Sequence, residues 1–381
     1  MFCHQLRPLP AGGAPVYVAH LSLTSFRNYA SLELPLQPGL LLFQGDNAQG
    51  KTNLLEALYL LSTTRSHRAE NERELLGWSS PDPWARAAAE VETARGRLKM
   101  EVVLQREEAR VEVVRKRFRI GGIARPAAQV VGVLAQAIFS PEDIDLVGGA
   151  PALRRRFLDA LGSQVDPRYL ASLQRYQRVL SQRNHLLRLL GEGKGRPEEL
   201  EFWDRELVAS GSYLTEARKT FLLALQGTAQ EAHTGLGAGD LEITYLPSVM
   251  VGGFAQALLR GREREIGAGM TLVGPHRDDL GLKVGGVDMG VFGSRGQQRT
   301  VALALRLAEA QYLREVKGES PLLLLDDVFS ELDARRRERL LQVIQAYQQV
   351  FITTTELERL PPALPSRGTV YRVSAGSVSA L

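Results

Sequence analysis

Cysteine is almost absent. The 381 residues contain one, Cys3, so neither a disulfide framework nor a cysteine-based zinc cluster is open to the chain, and a reducing cytoplasm is the expected compartment. No apolar run approaches membrane-spanning length, which argues against a helical membrane span. The opening MFCHQLRPLPAGGAP has proline and glycine where a signal peptide needs an apolar stretch. Positions 1–15 are therefore expected to form a flexible extension. Neither sign of charge dominates: 47 Lys and Arg against 43 Asp and Glu give a net charge of +4, which permits a polyanionic partner without demanding one. Internal repeats and low-complexity tracts are also missing. What remains is an ordinary globular composition, 44% hydrophobic and 24% charged, in a chain too long for one core. Two domains, or one large head with an insertion, are expected.

The segment VYVAHLSLTSFRNY alternates apolar and polar positions as a strand does, and GLLLF (Gly39–Phe43) is a short, fully apolar strand. A glycine loop follows at once. KTNLLEALYLLST then spaces Leu54, Leu55, Leu58, Tyr59 and Leu61 as one face of a helix. Between Arg97 and Ile120, RLKMEVVLQ and RVEVVRKRFRI predict an antiparallel hairpin closed by the polar turn REEA. After FSPEDIDLVGGAP, Asp166 and Pro167 form a helix start. Two helical patterns separated by GEGKGRP predict an antiparallel helical hairpin with arms of roughly 35 Å. From Leu241 short strands return, then a helix from Gly296, the apolar strand before Asp326, a helix from Asp333 and the strand VFITTT. The expected division is 1–15 extension, 16–145 and 266–381 head, and 146–265 helical lobe.

Three motifs carry chemistry. In GDNAQGKTN, the glycines Gly45 and Gly50 let successive amides face a polyphosphate. Lys51 is placed to neutralise its β and γ oxygens, and the Thr52 hydroxyl to ligate Mg2+. The loop residues Gly45, Asp46, Asn47, Ala48, Gln49, Gly50, Lys51, Thr52 and Asn53 are the candidate nucleotide site. In LLLLDD, Asp326 ends a buried strand where it can hold Mg2+, and Asp327 stands where a carboxylate can orient an attacking water. An aspartate is one methylene shorter than a glutamate and holds that water less closely, so slow hydrolysis is expected. In SRGQQRT, Ser294 and Gly296 open an amphipathic helix whose free amides and dipole make an anion site, with Gln297 in its first turn. The bland alternatives are a chance glycine turn, a strand that ends in polar residues and a capped core helix. Their order along one chain weighs against all three. Lys51 and Asp326 nevertheless lie 326 − 51 = 275 positions apart, and the two halves of one site must be joined by folding.

Glycine loop, serine-glycine helix, acidic strand and SELD (Ser330–Asp333) in this order resemble the split head of ABC-type and SMC-type ATPases. With FRNY (Phe26–Tyr29), FSPEDIDLVGGAPALRRRFLD and VGPHRDDL (Val273–Leu280), they resemble the RecF family of bacterial recombination-mediator ATPases across nearly the whole chain. The resemblance implies an α/β ABC-type head of mixed β-sheets with a phosphate-loop helix, and an inserted helical second lobe. It also implies ATP-dependent head-to-tail dimerisation, with Ser294 and Gly296 of one subunit reaching the γ-phosphate held by the other and Asp333 at that interface. Arg27 and Asn28 would lie near the base or phosphates, and Gln136 would be the glutamine that leads from Mg2+ into the helical lobe. Duplex or gapped DNA and RecO and RecR would be the partners, with no membrane. Three departures stand out. Arg295 follows the signature serine, and Ala48 replaces a glycine, which requires a negative φ there. No histidine follows FITTT, leaving Thr354, Thr355 or Glu356 for the switch.

Basic runs at Arg115–Arg119, Arg154–Arg156 and Arg335–Arg339, with Arg65 and Arg68, are candidate DNA contacts, although such runs are often solvated faces. His276, Arg277 and Asp278 are expected to form a buried polar cluster. Two other functions compete. A transporter nucleotide-binding subunit needs no long helical insertion, and a phosphotransferase with the same loop needs an acceptor pocket.

Overall fold

A computed structural model describes residues 16–78, 82–94, 96–107, 110–250 and 252–381. The expected N-terminal extension and the tip of the REEA turn lie outside the described residues. The chain divides into two compact units: Met1–Asp143 with Gly235–Gly237 and Leu303–Leu381, and Ile144–Thr234 with Ala238–Ala302.

The first unit holds two six-stranded sheets. One is antiparallel throughout, in the order Tyr29–Pro35, Tyr17–Phe26, Trp84–Thr93, Gly96–Glu107, Arg110–Ile120, Ile123–Arg125. The other runs Ser377–Ala380, Thr369–Ser374, Gly39–Gln44, Gln349–Thr354, Leu322–Asp326, Gln136–Phe139 and is parallel except for its terminal hairpin. Its central strands are apolar on both faces, as a covered parallel sheet requires. Leu21, Leu23 and Val102 from one sheet, Leu54, Leu58 and Leu61 from the helix Lys51–Thr63, and Leu324 and Phe351 from the other sheet join in one buried core.

Strand order closes the 275-position gap. The strand Gln349–Thr354 lies between the strand before the glycine loop and the acidic strand, with Thr353 opposite Phe43 on one side and Asp326 on the other. Parallel strands share their carboxyl ends, so the glycine loop and Asp326 emerge at the same edge.

In the second unit, Asp166 caps the helix Pro167–Gly191 by accepting from the Arg168 amide at 2.8 Å. The helix Leu200–Gly235 returns beside it. Tyr169 meets Phe221 near one end, Arg175 pairs with Glu206 farther along, and Leu187 packs with Leu200 at the turn, so the hairpin is antiparallel as expected. At 25 and 36 residues the arms measure about 37 and 54 Å. The unit extends beyond the expected 146–265. Strands Leu241–Leu246, Asp279–Val284 and Val287–Asp288 form their own sheet, and Arg154 ties it to the helix Pro151–Val165 through Asp279 at 2.6 and 2.9 Å. Residues 266–302 therefore belong with the helices rather than with the head. Arg154 is thereby buried in the fold, which corrects its place among the DNA candidates.

The expected polar cluster is present only in part: Asp278 is buried and His276 partly so inside this unit, whereas Arg277 is exposed. Tyr176 donates to His276 Nδ1 at 2.6 Å, and His276 Nε2 lies 3.1 Å from the Thr271 carbonyl. Burial pushes the His276 imidazole down to about 4. Asp278 accepts from the Ser248 amide and from Tyr245.

Candidate functional site

The glycine loop is held from behind. Asn28 Nδ2 donates to the Gln49 carbonyl at 2.8 Å, and Asn28 Oδ1 accepts from Asn53 Nδ2 at 2.6 Å. Gln49 accepts from the Ala375 amide at 2.7 Å, which fastens the loop to the C-terminal hairpin. Asn28, Gln49 and Asn53 thus shape the loop, and the expectation that Asn28 touches the nucleotide is replaced by this positioning role. Gly45 has no alternative, because a Cβ there would stand 2.2 Å from the Val373 carbonyl oxygen. At Gly50, φ is 116° and a Cβ would meet the Asn28 amide at 2.6 Å. Ala48 departs from expectation: its φ is 62°, in the left-handed region, at a cost of roughly 1 kcal/mol or more for a residue with a Cβ.

Lys51 donates through Nζ to the carbonyls of Gly45 at 2.6 Å and Asp46 at 2.8 Å, curling its ammonium over the loop. Burial lowers its pKa, while Asp327, Asp326 and Asp46 pull it up. Thr52 Oγ1 donates to Asp326 Oδ2 at 2.7 Å. A hydroxyl and a carboxylate at that spacing offer hard oxygen donors, which suits a Mg2+ whose other ligands are phosphate and water. No group of three or more His, Cys, Asp or Glu side chains placed to hold a metal ion occurs among the described residues.

Thr353, which the motif reading passed over, organises the acidic pair. Its hydroxyl donates to Asp326 Oδ1 at 2.5 Å and accepts from the Asp327 amide at 2.9 Å. Asp327 itself has φ 50°, a conformation that aspartate tolerates better than most residues. Its carbonyl takes the Ser330 hydroxyl at 2.7 Å. Burial raises the Asp327 pKa, with Asp326 adding to that rise and the Ser330 hydrogen bond and Lys51 opposing it. Asp327 Oδ1 is buried and takes no hydrogen bond among the described residues. The Thr353 bridge carries a prediction. Thr353→Val keeps the shape but removes both bonds, so nucleotide affinity should fall less than threefold while metal-dependent hydrolysis falls at least tenfold, as expected when positioning is lost. Single-turnover hydrolysis and binding titrations check this, and equal losses in both would place Thr353 in the fold alone.

Two further assignments change. Arg27 is buried and bidentate on Glu56, both bonds 2.8 Å, so its guanidinium is committed behind the loop. Gln136 pairs in register with Leu322, four positions before Asp326 on the parallel neighbour. It therefore sits about 13 Å from the active edge, at the wrong end of its strand, and leaves the metal set. Asp333 caps the helix Ala334–Ile344, accepting from the Arg336 amide and side chain at 2.9 Å each.

A cavity of about 380 Å³ opens over the loop, lined by Asn47, Ala48, Lys51, Thr52, Asp326 and Asp327 together with Arg68, Trp78, Glu142 and Thr355. Arg68, grouped with the DNA candidates from sequence, bonds Asn53 and Glu56 and belongs here instead. Of the three candidates for the switch after FITTT, Thr355 lines the cavity, whereas the Thr354 hydroxyl bonds the Glu356 backbone. Trp78 carried no motif that would have flagged it, whereas Glu142 lies within FSPEDIDLVGGAPALRRRFLD but had no role assigned to it there. In the other unit, Ser294 and Gln297 cap each other reciprocally, Ser294 N–H to Gln297 Oε1 at 2.9 Å and Gln297 N–H to Ser294 Oγ at 3.3 Å. Ser294, Arg295, Gly296 and Gln297 are all exposed.

Residues 17–374 match the RecF/RecN/SMC N-terminal domain. The DNA replication and repair protein RecF of Roseiflexus castenholzii is 43% identical, over 95% of this chain and 99% of its own. That of Halalkalibacterium halodurans is 39% identical over 95% and 99%. A solved structure described as the recombination mediator protein RecF-ATP in the RecFOR pathway superposes with a TM-score of 0.88 at 31% identity, covering 98% of this chain and 99% of that one. An Smc head domain from Pyrococcus furiosus, 13% identical with a TM-score of 0.56, shares the fold. The head is thus of the expected SMC-like type, and the chain belongs to the RecF family of DNA replication and repair proteins.

Proposed function

We propose that the chain is an ATP-dependent DNA-binding protein of recombinational gap repair, working with RecO and RecR. The observation that carries the nucleotide site is the 2.7 Å bond between Thr52 and Asp326, which brings a hydroxyl and a carboxylate from positions 274 apart to the cavity that Lys51 also lines. The similar structure described as RecF-ATP supports ATP as that ligand. The loop amides and Lys51 bind the triphosphate, and Thr52 and Asp326 would hold Mg2+, which when bound neutralises charge on the β and γ oxygens. Asp327 turns its carboxylate to an attacking water. Its short side chain makes the hydrolysis slow, a timer rather than a turnover engine.

The exposed Ser294–Gln297 turn offers a hydroxyl and a helix N-terminus in the unit that does not hold Lys51. That arrangement supports completion of the cage by a second copy, with ATP as the link and hydrolysis as the reset. Arg115, Arg117 and Arg119 alternate outward along one strand while Phe118 points inward. Phosphate contacts from such a row are sequence-tolerant and weaken steeply with salt. No helix among the described residues is long and apolar enough to cross a membrane.

Size measurement in solution tests the reading. With ATP and a gapped duplex the protein should run as a dimer, and with ADP as a monomer. Monomer under both conditions would remove the ATP-linked clamp.

A further inference from the structure

We propose that Trp78 is the platform on which the nucleobase stacks, so that it sets how strongly the site prefers a nucleotide to a bare polyphosphate. This rests on the nucleotide reading of the cavity above and adds the base-recognition element to it.

The observations come from one edge of the head unit. Trp78 is 60% exposed, whereas Trp84 and Trp203 are partly covered. Trp78 lines the same cavity as Lys51, Thr52 and Asp326, and among the described residues it is the one aromatic residue that does so. The rest of the wall is polar or small: loop residues, Arg68, two aspartates, Glu142, Thr355 and Pro141. Such a wall can take phosphates, ribose hydroxyls and a cation. It offers a flat apolar ring one partner, the indole.

The backbone that carries the ring is also held in place. Trp78 N–H donates to the Arg27 carbonyl at 2.8 Å, and Arg27 N–H donates to the Leu75 carbonyl at 3.1 Å. Leu75 and Leu76 are buried just before it, and Leu76 bridges to Phe26. Arg27 has φ 55° and is locked by its two bonds to Glu56. The backbone beneath the indole is therefore tied to the core on two sides. Little conformational freedom at the Trp78 backbone is left to lose when a base arrives. A large apolar ring kept in water at the mouth of a polar cavity is a ligand contact waiting for a flat partner. Stacking is tolerant of base identity because every base has a π face, but the larger purines gain more from it than pyrimidines.

The test compares ligands on the full chain in the presence of Mg2+. Calorimetric titration with a non-hydrolysable ATP analogue and with tripolyphosphate separates the base from the phosphate cradle. For Trp78→Ala, affinity for the analogue should fall about tenfold while that for tripolyphosphate stays within twofold. Trp78→Phe should recover most of the loss. Competition provides a second readout: the wild-type preference for ATP over UTP should shrink toward unity in Trp78→Ala. Unchanged analogue affinity, an unchanged ATP-to-UTP ratio, or parallel loss of both ligands would overturn the proposal, the last showing that Trp78 merely supports the loop. A Lys51→Met control that keeps tripolyphosphate binding would instead sink the phosphate-site reading, which makes the two failures distinct.

Discussion

Glu56→Gln is expected to destabilise the head unit by about 3–5 kcal/mol, the range for removing one partner of a buried ion pair. Glu56 is fully buried and Arg27 nearly so. The two make parallel hydrogen bonds of 2.8 Å, and Arg68 reaches the same carboxylate at 3.3 Å. A neutral amide cannot satisfy both guanidinium bonds, so Arg27 is left charged and under-bonded in the interior. Unfolding by urea, followed through Trp78 and Trp84 in a Trp203→Phe background, reads the head unit by itself. A loss below about 1 kcal/mol would mean that the pair is screened as surface pairs are.

The same carboxylate gives a pH signature. Burial raises the Glu56 pKa, but the hydrogen bonds from Arg27 and Ser66 and the charges of Arg68 and Arg27 outweigh it, and the net shift is downward. A carboxylate depressed in the folded state contributes stability above its unfolded pKa of about 4.3 and loses it as pH falls through the lower folded value. The wild type should therefore weaken below about pH 4, and Glu56→Gln should lack that component of the acid loss.

Lys51→Met should have the second large effect, on binding instead of folding. Affinity for ATP is expected to fall by about 100-fold or more, since a charge-assisted contact to phosphate in a partly desolvated loop is lost. Stability should change by no more than about 1 kcal/mol. Methionine fills similar space, and burial already disfavours the ammonium, so removing the charge relieves a cost that offsets the two lost carbonyl contacts. Calorimetry against ATP, with the urea midpoint measured in parallel, checks both halves. Retained ATP affinity would move the phosphates away from this loop.

Local chemistry was legible because it is written in contiguous residues. Glycine loop, lysine and threonine follow one another, and the turn from strand to helix that they require is encoded on both sides of them. The Asp166 cap and the helical hairpin were equally plain, since capping and helical spacing are short-range. Misreadings occurred where a side chain's partner lies far along the chain. Arg27 is a sensible nucleotide ligand until Glu56, 29 positions later, is seen to take its guanidinium. Gln136 has the right chemistry, but strand register puts it beside Leu322 and not Asp326. Arg68 and Arg154 look alike as surface cations. One lines the cavity and the other is sealed against Asp279.

The sequence by itself determined the chemistry available to this protein, a phosphate cradle, an acidic strand end and a serine-capped helix, because each depends on neighbours within one or two turns of chain. Only the tertiary structure decided which of those groups meet. The order of parallel strands carries Asp326 to Thr52, and Thr353, on the strand between, orients the acidic pair. The first follows from local backbone preference and hydrogen bonding, whereas the second follows from long-range strand pairing and burial, which no short stretch of residues encodes.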